Sequence, residues 1–177
     1  MAISLVQHAS GLSASNTVTI TLSATGSGNA LIIAATYLSA TDSDLQSVTL
    51  GGSGTGFSSQ LYVNTTDVPD TSIWANFSIA GGQTSLAVTV PSGDSVTALA
   101  VDAYEVSGGL TALDKPAPPE VDGTSGSWTS TATATTTVAA EFILGVVTGV
   151  NNAGPAFTYT GPSSPWTKSA RHRHRER

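Results

Sequence analysis

The segment Thr17-Val18-Thr19-Ile20-Thr21-Leu22 alternates a β-branched hydroxyl residue with an apolar one, with a period of two. That period fits a half-buried strand and no helix, because successive side chains on a pleated backbone point to opposite faces. Threonine suits the outer face, where a branched side chain fits the pleat. The same signature returns along the chain between short turn signals. Gly26-Ser27-Gly28-Asn29, Gly51-Gly52-Ser53-Gly54, Gly81-Gly82 and Pro91-Ser92-Gly93-Asp94 each interrupt one run and release the next. No window of ten residues carries apolar positions at helical spacing without Gly or β-branched interruption.

Strands are expected at Ile3–His8, Thr17–Leu22, Ala30–Leu38, Gln46–Leu50, Phe57–Val63, Ser72–Ala80, Ser85–Val90 and Ser95–Val106. Further strands are expected at Trp128–Thr137, Glu141–Thr148 and Tyr159-Thr160, after a Pro-rich connection over Asp114–Asp122. Ala30–Leu38 reads as a central strand covered on both faces. About ten short strands with regular turns predict an all-β, antiparallel β-sandwich of jelly-roll type. One such domain spans residues 1–167, and residues 168–177 form a basic C-terminal tail, read as flexible.

Composition narrows the function classes. Charged residues are 10% of the 177, against about 25% in an average soluble domain. Cysteine is absent, so a disulfide scaffold is excluded. Residues 1–167 hold eleven acids and one base, Lys115, whereas the tail holds Lys168, Arg171, Arg173, Arg175 and Arg177 against Glu176. An acidic body disfavours nucleic acid, which needs a basic face. The most apolar run, Ala30–Ala35, is far short of the ~20 residues of a membrane span. No basic, apolar leader follows Met1.

Five segments in order carry a resemblance. Gly28-Asn29-Ala30-Leu31-Ile32-Ile33 is similar to a Gly-Asn-hydrophobic opening. Ile73–Gly82 resembles an aromatic strand ending in a Gly-Gly turn, and Thr84–Val90 the alternating strand after it. Ala103-Tyr104-Glu105-Val106-Ser107-Gly108 resembles a Glu-Tyr-Ser-Gly element with the first two residues reversed, and Glu141–Gly145 a late apolar strand. Together they resemble a β-sandwich module of tailed-bacteriophage virion proteins (capsid decoration, fibre and tail appendages), also found in bacterial surface proteins. The resemblance covers most of residues 3–160 and implies no shared catalytic residues. The module ordinarily ends in a further strand pair, where this chain has Ser164-Pro165-Trp166-Thr167 and its tail. A sheet edge left open there is expected to be completed by a neighbouring subunit or an underlying partner.

Candidate sites are sparse. His8 sits in the first strand without a partner nearby in sequence. His172 and His174 are two ligands where structural zinc wants four. Asp42, Asp44, Asp67, Asp70, Asp114, Glu120 and Asp122 lie in loops but match no calcium-loop spacing, and solvated turns account for them. No nucleophile elbow is present. Catalytic residues, cofactor and metal are therefore expected to be none. Trp74, which alternates with Asn76 and Ser78, is read as solvent-facing or as an inter-subunit contact. With Trp128, Trp166, Arg171, Arg173 and Arg175 it makes up the candidate partner-binding set. The expectation is a non-enzymatic virion structural protein, a capsid decoration protein or a fibre or tail component. Its partners would be capsid or tail proteins and itself as a homo-oligomer, without nucleic acid or membrane. The alternative is a secreted or surface-displayed carbohydrate-binding or adhesion module, located outside the cell or on its surface.

Overall fold

The structure is a computed structural model that describes residues 2–38, 43–63, 69–116, 134–135, 137, 140–146 and 148. It contains eight strands: β1 (Ser4–Ser13), β2 (Thr17–Thr21), β3 (Ala30–Leu38), β4 (Ser47–Leu50), β5 (Ser58–Val63), β6 (Asp70–Asn76), β7 (Ser85–Thr89) and β8 (Ala98–Ser107). Among the described residues there is no helix. All pairings are antiparallel, in a five-stranded sheet A ordered β1-β8-β3-β6-β5 and a three-stranded sheet B ordered β2-β7-β4.

The pairs β1·β8, β2·β7 and β3·β6 nest one inside the next. Such nesting arises when a long antiparallel ladder wraps into two facing sheets, which is a jelly roll. The fourth nested pair would be β4·β5. Here β5 hydrogen-bonds to β6 instead, which makes sheet A five strands wide and sheet B three.

Alternation in sequence becomes layering. The pattern along β2 places Val18 and Ile20 inside and Thr17, Thr19 and Thr21 outside. From β7 come Leu86 and Val88, and from β4 Val48 and Leu50. They meet Leu31, Ile33, Ala35 and Tyr37 of β3 and Leu99, Val101 and Ala103 of β8 to form one core. Strand β3 lies between β8 and β6, and residues on both its faces are buried, as its uninterrupted apolar run requires. At the corner between the sheets, Gly11 of β1 lies over β2. A Cβ there would sit 2.8 Å from both Ile20 Cγ1 and Val18 Cγ2, so the close approach requires glycine. After β8, Gly108 takes φ +108° with its Cα facing the backbone of Ala2 and Ile3. A Cβ would fall 2.6 Å from Ala2 O, which fixes the end of the Ser107-Gly108 element as glycine.

The strand expectations hold for β1 to β8, with β1 five residues longer than expected at its C-terminal end. Of the about ten expected strands, eight lie among the described residues. Residues 141–146, expected as an apolar strand, are irregular. Phe142 lies 6.3 Å from Tyr104, ring centroid to centroid, and Tyr104 is on the outer face of sheet A. The segment thus sits over a sheet face and offers its apolar side chain there, not along an edge where a strand could pair. Ala134, Thr135 and Thr137 of the expected Ser/Thr strand are likewise irregular, and the rest of that segment and Tyr159-Thr160 lie outside the described residues.

Candidate functional site

Two partly buried polar networks close the sandwich at opposite ends of β3. At the Leu31 end, Glu105 is fully buried, opposite Leu31 in the register and on the inner face. Its Oε1 accepts from the Gly26 amide at 2.7 Å and from Asn29 Nδ2 at 2.6 Å, and its Oε2 accepts from Gln7 Nε2 at 2.5 Å. Gln7 reaches further: Nε2 donates to Ser23 O and Oε1 accepts from the Ser23 amide. One carboxylate therefore ties the β2–β3 turn to β8 and to β1.

At the Tyr37 end, Asp44 Oδ1 accepts from the Leu45 amide at 2.7 Å, from Ser72 Oγ at 2.5 Å and from Trp74 Nε1 at 3.1 Å. The Tyr37 hydroxyl donates to Ser43 O at 2.5 Å. Neutral N–H and O–H donors satisfy both carboxylates. That solution suits a body with a single base, since a buried carboxylate needs several donors or a cation to offset its lost hydration.

Burial, only partly opposed by the Ser72 hydroxyl, holds the Tyr37 phenol protonated well above the usual tyrosine range, and Tyr62, Asp70 and Asp44 push the same way. The unfolded chain ionises Tyr37 near pH 10, so it releases a proton that the folded chain keeps. Stability is then whole below about pH 10 and falls above it, by up to about 1.4 kcal/mol per pH unit from this residue. Urea denaturation between pH 9 and 11 should show this slope, and Tyr37→Phe should flatten it.

The outer face of sheet A carries a further pair. His8 stacks on Tyr104 with centroids 4.8 Å apart, and His8 Nε2 lies 2.8 Å from Asp102 Oδ1. The β1–β8 register sets His8 opposite Tyr104, which puts Asp102 two residues along on the same face. On the irregular segment, Asp114 accepts from the Thr137 amide and hydroxyl, and these bonds hold its carboxyl below the ordinary range.

Sheet B presents a different surface. Its outer face consists of ranks set by the register: Thr17–Thr89–Ser47, Thr19–Ala87–Thr49 and Thr21–Ser85. All eight side chains are small, none is charged, and all are at least partly exposed. Thr17 Oγ1 and Thr89 Oγ1 lie 3.2 Å apart. Strand spacing of ~4.8 Å and a two-residue repeat of ~6.7 Å set seven hydroxyls in register around Ala87.

Among the sequence candidates, Trp74 is corrected in orientation. It faces inward, half-buried against the core, with its indole N–H on Asp44. Ile73 and Ala75, not Trp74, take the outer side. The inner side of β6 is polar (Asp70, Ser72, Trp74, Asn76) because no fourth strand of sheet B covers it. Segments before β4 and before β5 cover it instead, through Asp44 on Ser72 and Trp74, and through Thr55 O, which accepts from Asn76 Nδ2 at 3.0 Å. Trp128, Trp166, Arg171, Arg173 and Arg175 lie outside the described residues, as do Asp42, Asp67, Glu120, Asp122, His172 and His174. Among the described residues no three His, Cys, Asp or Glu gather as a metal site, and no helix is long and apolar enough to cross a membrane. Sequence reasoning missed Glu105 as a buried clamp and Asp102 as the partner of His8. The first stands out in the sequence only as part of the Ala103–Gly108 segment, and the second needed the β1–β8 register.

The strand order and the two facing sheets define the class: an antiparallel double-sheet β-sandwich of jelly-roll type. No family model, curated protein or solved structure matches the chain.

Proposed function

We propose that this protein is a non-enzymatic structural subunit of a tailed-phage virion, a capsid decoration protein or a fibre or tail component, present in many copies. The observation that carries the reading is the hydroxyl face of sheet B, eight small uncharged side chains in register. Each contact on such a face is weak, and many copies engaging a repeating lattice convert weak contacts into lasting attachment. The sequence resemblance points the same way in its first four segments, the fifth, Glu141–Gly145, being irregular, and the jelly-roll order agrees with it. A fold alone hosts many functions, so the weight rests on the surface.

The carbohydrate-binding alternative relies on exposed aromatic rings for stacking. With Trp74 turned into the sandwich, that platform loses one of its three tryptophans. Co-sedimentation with purified phage capsids tests the proposal. Thr19→Lys in the middle rank of the array should weaken capsid binding at least tenfold without lowering the thermal midpoint, since Thr19 is exposed. Capsid binding unchanged by Thr19→Lys would rule out the hydroxyl face as the attachment surface.

A further inference from the structure

The two outer faces of the sandwich differ in kind. That of sheet B is uncharged and rich in hydroxyls. That of sheet A is apolar and made largely of small side chains. Ala34 of β3, Ala75 of β6, and Ala100 and Val106 of β8 share it with Tyr104, and all five are buried. Sheet B packs on the opposite, inner face and does not cover them. An apolar face on the outside of a two-sheet fold needs a cover of its own. Phe142 supplies part of that cover, with its ring centroid 6.3 Å from that of Tyr104.

The segment that carries Phe142 is held lightly. Residues 140–146 form no ladder with sheet A, and Ile143, beside Phe142, is 56% exposed, so the segment touches the face from one side only. Its described polar tie is Asp114, whose Oδ2 accepts from the Thr137 amide at 2.7 Å and whose Oδ1 accepts from the Thr137 hydroxyl at 2.5 Å. Lys115 and Glu141 also face Asp114, and His8 and Asp102 adjoin Tyr104 on the sheet below. Bonds to an ionised acceptor are stronger than neutral ones. These two join residues 23 apart in sequence. With them in place, Phe142 is tethered to the end of β8 by the seven residues from Ser107 to Asp114 and the five from Thr137 to Phe142. A shorter tether costs less entropy to close. A segment with no ladder, few buried apolar contacts and exposed hydrogen bonds opens at a lower free energy than the sandwich core.

We infer that Thr137 and residues 140–146 are a strap, latched by Asp114 over the outer face of sheet A, which lifts as a unit while the two sheets stay packed. Lifting bares the apolar face around Tyr104 and leaves the hydroxyl face of sheet B as it was. The chain thus has a second surface that it presents only in the open state.

Nitration of tyrosine by tetranitromethane on the full chain, read peptide by peptide by mass spectrometry, tests this. Tyr37, fully buried between the sheets, reports on the sandwich itself. No capsid is present, so the outcome is independent of the virion reading. In the unaltered chain Tyr104 should react slowly. Asp114→Ala should speed its nitration by about threefold or more, since the tether lengthens, and leave Tyr37 unreactive. Phe142→Ala removes the ring over Tyr104 and keeps the latch, and it should speed the reaction as well. A Tyr104 rate indifferent to Asp114→Ala would overturn the latch, and one indifferent to Phe142→Ala would overturn the strap. A Tyr37 rate that rises together with that of Tyr104 would overturn the claim that the strap lifts by itself.

Discussion

Glu105→Ala is expected to destabilise the fold by about 3–5 kcal/mol, the largest effect expected of a single substitution in this chain. Truncation leaves the partly buried Gly26 amide and Asn29 Nδ2 without this acceptor and Gln7 Nε2 with Ser23 O alone. Each unsatisfied donor costs about 1–3 kcal/mol, and bonds to an ionised acceptor lie at the upper end. The side chain is also fully buried, so its removal leaves a void in the sandwich end. For a domain of this size the thermal midpoint should drop by on the order of 10 °C. Glu105→Gln should cost less, about 1–2 kcal/mol. It keeps one oxygen for Gly26 and Asn29 but turns an NH2 toward Gln7 Nε2. Gln7 cannot flip to compensate without losing the Ser23 amide from its Oε1. Equal stability of the Ala and Gln variants in urea would show that the donors are satisfied in some other way.

The second large effect is expected at the opposite end. Asp44→Ala removes the acceptor shared by the Leu45 amide, Ser72 Oγ and Trp74 Nε1, with an expected loss of about 2–3 kcal/mol. Ser72 is fully buried, and among the described residues its Oγ keeps the Tyr37 hydroxyl, at 3.4 Å, as a hydrogen-bond partner. Asp44 is itself only partly buried, which limits the cost relative to Glu105. Asp44→Asn retains Oδ1 and should cost no more than about 1 kcal/mol. In a chain with Trp128 and Trp166 replaced by Phe, the emission of Trp74 should shift on Asp44→Ala and stay put on Asp44→Asn. Emission that does not move in the Ala variant would mean that the indole N–H is not held by Asp44.

These two carboxylates also show where sequence stops being informative. β2 and β7 are legible residue by residue, because each has one solvated face and alternation marks it. β3 is legible for the opposite reason: nine residues with almost no polar side chain can only be a strand covered on both sides. β6 defeats the same logic. Parity assigns Ile73 and Ala75 inward and Trp74 outward, since apolar usually means inside. Both faces of β6 are covered, however, and its inner face meets loops whose backbone and Asp44 demand polar partners. The cause is topological, the transfer of β5 from sheet B to sheet A, and no local pattern in Phe57–Val63 reports which sheet that strand joins. His8 is a similar case. Its partner Asp102 is 94 residues away, and only the pairing of β1 with β8 brings the two together. The hydroxyl face is half legible: the threonines of β2 read as outward, but their alignment with β7 and β4 into ranks is a property of register.

The proposed role is that of a component attached in many copies to a phage particle through an uncharged hydroxyl face. Titrating the purified protein onto purified capsids and measuring the co-sedimented amount tests that role without any variant. A saturating curve is expected, with a fixed number of chains per capsid at the plateau. A bound amount that stays at background, or that rises linearly without a plateau, would be incompatible with it.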